Sequence, residues 1–228
     1  MQDSTPGAAA RFITFEGGEG VGKSTQAKRL MTRLGHAGIK AIRTREPGGT
    51  AKAEAIRSFI LQGRSEEWGA GAEAVLFAAA RHDHVTQLIA PNLERGNSVL
   101  SDRFSDSTRA YQGLTGGVEP VLIDALEELA LDGRVPDLTI MLDMSPEAAF
   151  QRVEQRAMDD GIPSVADRFE KEDLAWHGRL RDAFLDIADK NSGRCTVISA
   201  AQEADAVAEE IWQTICRHFP EVSWAMTG

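Results

Sequence analysis

The sequence predicts an α/β fold, with a central parallel sheet of five strands covered by helices on both faces. Three observations carry this reading. Short apolar runs alternate with longer stretches of helical periodicity along the 228 residues, as a parallel sheet with crossover helices requires. The first apolar run, Phe12 to Phe15, passes through Glu16 into a glycine-rich loop and then a helical pattern. Charged residues recur where the apolar runs end, the edge at which open α/β sheets bind ligands.

Each element has a local cause. After the loop, Ala27, Leu30, Met31 and Leu34 recur at helical spacing, and Gly35 is a stop. Residues 39–44 form a short apolar-rich run ending in the loop Arg45-Glu46-Pro47-Gly48-Gly49. Helical patterns cover residues 50–62 and 70–95, the second closed by Gly96-Asn97. Residues 98–102 read as a buried strand ending in a carboxylate, residues 104–112 as helix, and residues 120–131 as another helix. The next strand is 138–143. Ser145-Pro146-Glu147 then starts a helix, with serine as cap and proline at the first helical position; it fades near Met158. A polar stretch, 159–166, precedes a helix over 167–189, a last strand over 195–199 and a last helix over 201–219.

Composition narrows the class. Residues 1–10 are small and polar, read as a loose tail, and lack the charged start and apolar core of a signal peptide. The remainder, 11–228, reads as one domain. No apolar run approaches the ~18 residues that span a bilayer, so no membrane partner is expected. Cys195 and Cys216 have no metal-ligand spacing, which favours a reduced, cytoplasmic protein. A net charge of −10 disfavours nucleic-acid binding by broad phosphate neutralisation. Anionic ligands would then need a local cluster of arginine and lysine, because salt screens charges beyond ~8 Å.

Gly17-Gly18-Glu19-Gly20-Val21-Gly22-Lys23-Ser24 fits the phosphate-binding pattern G-x-x-x-x-G-K-[ST]. Backbone N–H groups of such a loop wrap phosphates, Lys23 reaches the terminal phosphates, and the Ser24 hydroxyl can ligate Mg²⁺. Asp102, at a strand end, can hold the same metal; its bland alternative is an N-cap ahead of Phe104. Arg45 and Arg103 are candidates for an acceptor's phosphate, because the planar guanidinium binds phosphate twice. Their alternatives are ion pairs with Glu46 and Asp106. Phe77 and Arg81 share a helical face, a ring for stacking beside a donor for a base carbonyl. Taken alone, Phe77 reads as core and Arg81 as surface. Thr108, Tyr111 and Gln112 share another face. Residues 151–170 carry Arg152, Arg156 and Arg168 with Gly161 and Pro163, a flap that can close over a phosphoryl donor and exclude water. Glu19 is the odd residue, since a carboxylate repels phosphate unless it faces a sugar hydroxyl, a metal or solvent.

At this point the chain closely resembles the thymidylate kinase family over nearly its whole length after residue 10. The resemblance is carried by FEGGEGVGKSTQ from Phe15, TREPGGT from Thr44, VLFAAARHDH from Val75, SDRFSDSTRAYQG from Ser101, RVPDLTIMLDMSPE from Arg134 and DRFE from Asp167. It implies a P-loop kinase fold with a small lid at about 151–170, and ATP- and Mg²⁺-dependent phosphorylation of dTMP to dTDP in a homodimer. It places ATP on the loop through Thr25, Phe77 on thymine, Arg81 at the thymine O4, and Arg45 and Arg103 at the acceptor phosphate. Glu19 falls at a sugar 3′-hydroxyl position. Ser107, Thr108, Tyr111 and Gln112 fall on the nucleoside-binding helix, with Tyr111 set against a ribose 2′-hydroxyl. Some members carry a catalytic arginine in the loop where this chain has Gly20. The chain therefore resembles the bacterial subgroup with lid arginines, Arg156 first, then Arg152 and Arg168. The neighbouring alternative is another P-loop nucleoside or nucleotide kinase with a different acceptor. A nucleotide-driven switch or motor fits less well, because neither an [NT]-K-x-D segment nor an apolar strand ending in Asp-Glu is present.

Overall fold

A computed structural model of the chain describes residues 9–160 and 168–224. Most of the expected tail, and Gly161, Pro163 and Asp167 of the expected flap, lie outside the described residues. Five strands form the sheet among the described residues: β1 (Phe12–Glu16), β2 (Ala41–Arg45), β3 (Ser98–Asp102), β4 (Leu138–Asp143) and β5 (Cys195–Ser199). Their order is β2-β3-β1-β4-β5, and every neighbouring pair is parallel.

The connecting helices follow the sequence signals closely. Helix α1 (Lys23–His36) starts straight from the glycine loop. Helix α2 (Ala51–Leu61) is capped by Thr50, whose side chain accepts from the Ala53 N–H at 3.2 Å. Helix α3 (Gly69–His84) continues through a π-type segment (Val85–Ile89) into α4 (Ala90–Glu94). Helix α5 (Ser105–Thr108) widens into a second π-type segment, Arg109–Thr115, and α6 (Pro120–Leu131) follows. Helix α7 (Pro146–Asp160) runs two residues beyond the expected fade at Met158.

The predicted helix over 167–189 is corrected. A 3₁₀ turn (Phe169–Lys171) comes first, and α8 (Leu174–Lys190) begins only after Asp173. Asp173 is extended, and its side chain accepts from the Trp176 N–H at 2.7 Å, so it is an N-cap and not a helical residue. The last predicted helix starts later than expected, as α9 (Ala204–His218), and a short α10 (Pro220–Trp224) follows.

Alternation along the strands divides the core. Ile13, Phe15, Leu100, Ile140 and Leu142 join Ala27 and Leu30 of α1 and Val207 and Ile211 of α9 on one face. On the other, Phe12 and Val99 meet Val85, Ile89 and Leu131, and Met141 meets Leu180, Phe184 and Ile187 of α8. Helices thus cover both faces. Each large apolar side chain so buried contributes about 1.5–3 kcal/mol. The register sets Phe15, Asp102 and Arg45 side by side, and Glu16 beside Met141. The carboxyl ends of β1, β2 and β3 are therefore level, and the loops leaving them form one rim.

Candidate active site

The glycine loop turns between β1 and α1. Gly17 and Gly20 have φ of 129° and 72°. A Cβ at Gly17 would lie 2.3 Å from the Leu142 carbonyl oxygen, and one at Gly20 would lie 2.6 Å from that of Ala149. The loop is thus pressed against β4 on one side and α7 on the other, and only glycine fits. No side chain caps α1, since its N-cap is Gly22. Its first N–H groups are left for a ligand, and its dipole favours an anion there.

Lys23 is buried and curls back over the loop, donating to the carbonyls of Gly17 at 3.1 Å and Gly18 at 2.5 Å. Burial, and then the neighbouring Arg103, pull its pKa below the ordinary lysine value. Ser24 directs its hydroxyl onto Asp102 Oδ2. Two oxygen ligands in contact at an open rim suit Mg²⁺, which keeps several waters and takes one or two protein ligands plus phosphate oxygens. Among the described residues no group of three or more His, Cys, Asp or Glu forms an all-protein cage.

Arg103 holds a second cluster. Its guanidinium donates to Gly17 O at 3.0 Å and Ser107 Oγ at 3.1 Å, and it pairs with Glu19. Tyr111 donates its hydroxyl to the same Glu19 oxygen at 2.9 Å, and Arg103 lies over the Tyr111 ring. The Tyr111 ring is braced edge-on by Phe169, Trp176 and Phe184. Burial works against ionised Glu19, but Arg103 and then Lys23 outweigh it and bring its pKa down to about 2. Glu19 is therefore part-buried, and its negative charge is balanced by Arg103 and Lys23. The Arg103–Asp106 pair weighed in the sequence does not form: Asp106 pairs with Arg194 at 2.7 Å, and Arg103 with Glu19.

Arg81 is not a surface residue. Only 3% of it is exposed, and it pairs with Glu46 at 2.7 Å. It also donates to Phe104 O at 3.1 Å and Thr108 Oγ1 at 3.0 Å. His84 meets the other Glu46 oxygen at 2.9 Å and Thr44 at 2.7 Å. Burial disfavours the Glu46 charge, but Arg81 and His84 more than restore it, so its pKa falls below the ordinary value. Phe77, one turn from Arg81, is half-buried beside the cluster that contains Tyr111 and Phe169. Gln112 and Thr108 are buried. Thr108, at the end of α5, meets Arg81, while Tyr111, in the π-type segment, meets Glu19.

Arg45 lies at the rim but pairs with Glu54 of α2 at 3.2 Å, not with its neighbour Glu46. The arginines of the flap are not gathered. Arg152 donates to Gln202 O at 3.0 Å, Arg156 is exposed on α7, and Arg168 pairs with buried Glu73 of α3.

Two carboxylates to which the sequence assigns no role in the site are structural centres of this rim. One is Glu46. The other is Glu16, fully buried, which accepts from the Phe104 N–H at 2.7 Å and the Ser107 N–H at 3.2 Å, and from Ser107 Oγ at 2.7 Å. The cap ahead of Phe104 considered for Asp102 thus belongs to Glu16. Burial, reinforced by Asp106, pushes the Glu16 carboxyl up to about 7, against the pull of Ser107 and Arg103. The available signal was an acidic residue closing an otherwise apolar strand.

The sequence profile described as thymidylate kinase matches residues 15–211. The chain belongs to the thymidylate kinase family. A thymidylate kinase of Nitrobacter winogradskyi is 50% identical over 218 residues, covering 94% of this chain and 93% of that protein. One from Nitrobacter hamburgensis is 51% identical over 205 residues, covering 90% and 87%. The crystal structure of thymidylate kinase from Ehrlichia chaffeensis superposes with a TM-score of 0.70 at 33% identity, covering 92% of this chain and 99% of that one. Fold and family therefore agree with the resemblance carried by the sequence segments, and they favour thymidylate kinase over a P-loop kinase with another acceptor.

Proposed function

We propose that this family member transfers the γ-phosphoryl group of ATP to dTMP, giving dTDP and ADP. The observation that carries the reading is the junction at Gly17, whose carbonyl accepts both Lys23 of the donor loop and Arg103 of the acceptor rim. Phosphoryl transfer needs alignment and positive charge more than covalent help. In this reading the amides of residues 17–25 and Lys23 hold the donor phosphates, and Arg103 with Arg45 holds the phosphate of dTMP. Ser24 and Asp102 would hold Mg²⁺, which would neutralise charge on the donor phosphates.

An oxygen of the dTMP phosphate attacks the γ-phosphorus as the bond to the β-γ bridging oxygen breaks. That nucleophile is already ionised near neutral pH, because a phosphate monoester has its second pKa near ~6. No general base is required. Glu19, with its depressed pKa, suits a hydrogen bond from the sugar 3′-hydroxyl and the anchoring of Arg103, not proton transfer. Phe77 stacks on thymine, Arg81 reaches its O4 from the frame of Glu46, Phe104 and Thr108, and Ser107, Thr108, Tyr111 and Gln112 complete the nucleoside pocket.

Residues 151–170 serve as the lid, with Arg156 as the first catalytic arginine and Arg152 and Arg168 after it. The crowding at Gly20 supports a lid source, since a side chain there would strike Ala149. A homodimer is proposed through α3 and α6, where Val75, Val121 and Leu129 are exposed; sedimentation of the purified protein tests it. Residues 1–10 are proposed as a tail outside a single domain, and the protein as cytoplasmic. Among the described residues no helix is long and apolar enough to cross a membrane, and both described cysteines are unpaired thiols. A coupled assay of ADP formation with dTMP as acceptor tests the activity.

A further inference from the structure

Glu16 has no role in the reaction as proposed, yet it is a fully buried carboxylate immediately before the phosphate loop. Burying a carboxylate is costly unless its hydrogen bonds are met. Its partners lie 88 to 91 residues away, in the turn that follows Arg103. Arg103 itself has φ of 70°, in the left-handed region that a side-chain-bearing residue seldom enters. Such strain persists only where the surroundings fix it from several sides. Here the Arg103 N–H donates to Phe15 O at 2.9 Å, and its carbonyl accepts from Ser101 Oγ at 2.8 Å. The next N–H, that of Phe104, goes to Glu16. Of these three clamps only Glu16 also grips Ser107, whose hydroxyl accepts from Arg103 Nη1 at 3.1 Å.

We infer that Glu16 is a positioning residue for Arg103: it locks the strained turn and thereby sets the guanidinium for the phosphate of the acceptor. This rests on the proposed role of Arg103. Because Glu16 is joined to Gly17 by one peptide bond, the donor loop and the acceptor arginine are held by a single two-residue unit. A cap serving only the four-residue helix α5 would not select for the acceptor's phosphate; a positioning residue does.

The test compares binding of dTMP with that of thymidine, which lacks the phosphate, by calorimetry on the full-length protein. Glu16→Ala is expected to weaken dTMP about tenfold, the scale of one lost charge-assisted hydrogen bond, with thymidine changed less than about twofold. In an Arg103→Ala background the same substitution should change dTMP affinity less than about twofold. Glu16→Gln, which retains an acceptor for the two amides, should recover most of the loss. Should Glu16→Ala fail to fold, Glu16→Asp, too short to reach both amides, is read in the same cycle. Equal losses for dTMP and thymidine, or additive effects of Glu16 and Arg103 substitutions, overturn the inference. If Arg103→Ala alone leaves the dTMP preference over thymidine intact, the role of Arg103 fails first and the inference fails with it.

Discussion

Lys23 and Arg103 donate to one acceptor. The Gly17 carbonyl takes Lys23 Nζ at 3.1 Å and Arg103 Nη1 at 3.0 Å. Two cations, one opening α1 and the other just past the end of β3, 80 residues apart in sequence, are thus brought together on one loop atom. Mutual repulsion is offset by Glu19, which lies beside both. This is the local positive cluster that an overall acidic protein needs to hold two phosphate chains.

Lys23→Ala should remove the cation of the donor loop. Turnover with ATP and dTMP is expected to fall by at least about 10²-fold, the loss typical for one group aimed at a developing charge. Steady-state kinetics beside a thermal unfolding curve check it. A fall of less than tenfold in a folded variant contradicts the role.

Arg81 has a structural as well as a recognition role. Arg81→Ala leaves Glu46 buried with only His84 beside it, and stripping one partner from a buried pair costs about 3–5 kcal/mol. Urea unfolding should show that loss, with weaker dTMP selection in whatever folded protein remains. Arg81→Lys keeps a charge for Glu46 but not the fork to Phe104 and Thr108, and is expected to lose less stability than selectivity.

Two loop-side carboxyls titrate in opposite senses. Glu19 is depressed to about 2, so its contribution to stability is present above the unfolded value of 4.5 and is lost as pH falls toward 2. Glu16 is raised to about 7, so its contribution is full below 4.5 and is lost as pH rises through 7. The Glu16 effect between those limits is about 3 kcal/mol. Urea unfolding at pH 5 and pH 8 should show the wild type losing stability relative to Glu16→Gln by that amount. Parallel curves for the two proteins contradict the assignment.

The lid arginines should separate by what they do to stability. Arg168→Ala leaves Glu73 buried without its cation and is expected to lower the unfolding midpoint. Arg156→Ala, on an exposed face of α7, should leave the unfolding free energy within about 0.5 kcal/mol of the wild type while cutting kcat. Unchanged kcat in Arg156→Ala moves the catalytic role to Arg152 or Arg168.

Gly20→Arg tests the loop geometry. The added Cβ would meet Ala149 O at 2.6 Å, with φ already at 72°. Strain and a displaced α7 are expected to lower both stability, by about 1–3 kcal/mol, and turnover. A rise in turnover would mean that the loop accepts an arginine in this chain.

The elements most legible in the sequence are those with local causes. Strand, glycine loop and helix around Lys23, the Ser145 cap and the five apolar runs all follow from neighbours a few residues apart. The Asp173 cap was equally local, and its competition with a continuous helical period was missed. What the sequence hides are long-range pairs. Glu16 meets residues 88 to 91 positions on, and Glu46 meets Arg81 and His84 at separations of 35 and 38. The π-type widening at Arg109–Thr115 escapes a reading based on 3.6 residues per turn. Arg81 looked exposed because an arginine is buried only when a carboxylate waits for it, and the sheet order brings that carboxylate near.

The most direct measurement is ADP formation by the purified protein with ATP and Mg²⁺, comparing dTMP with dUMP, dCMP and AMP at equal concentration. The account predicts the highest kcat/KM for dTMP. Conversion of dTMP no faster than that of the other three monophosphates would contradict it.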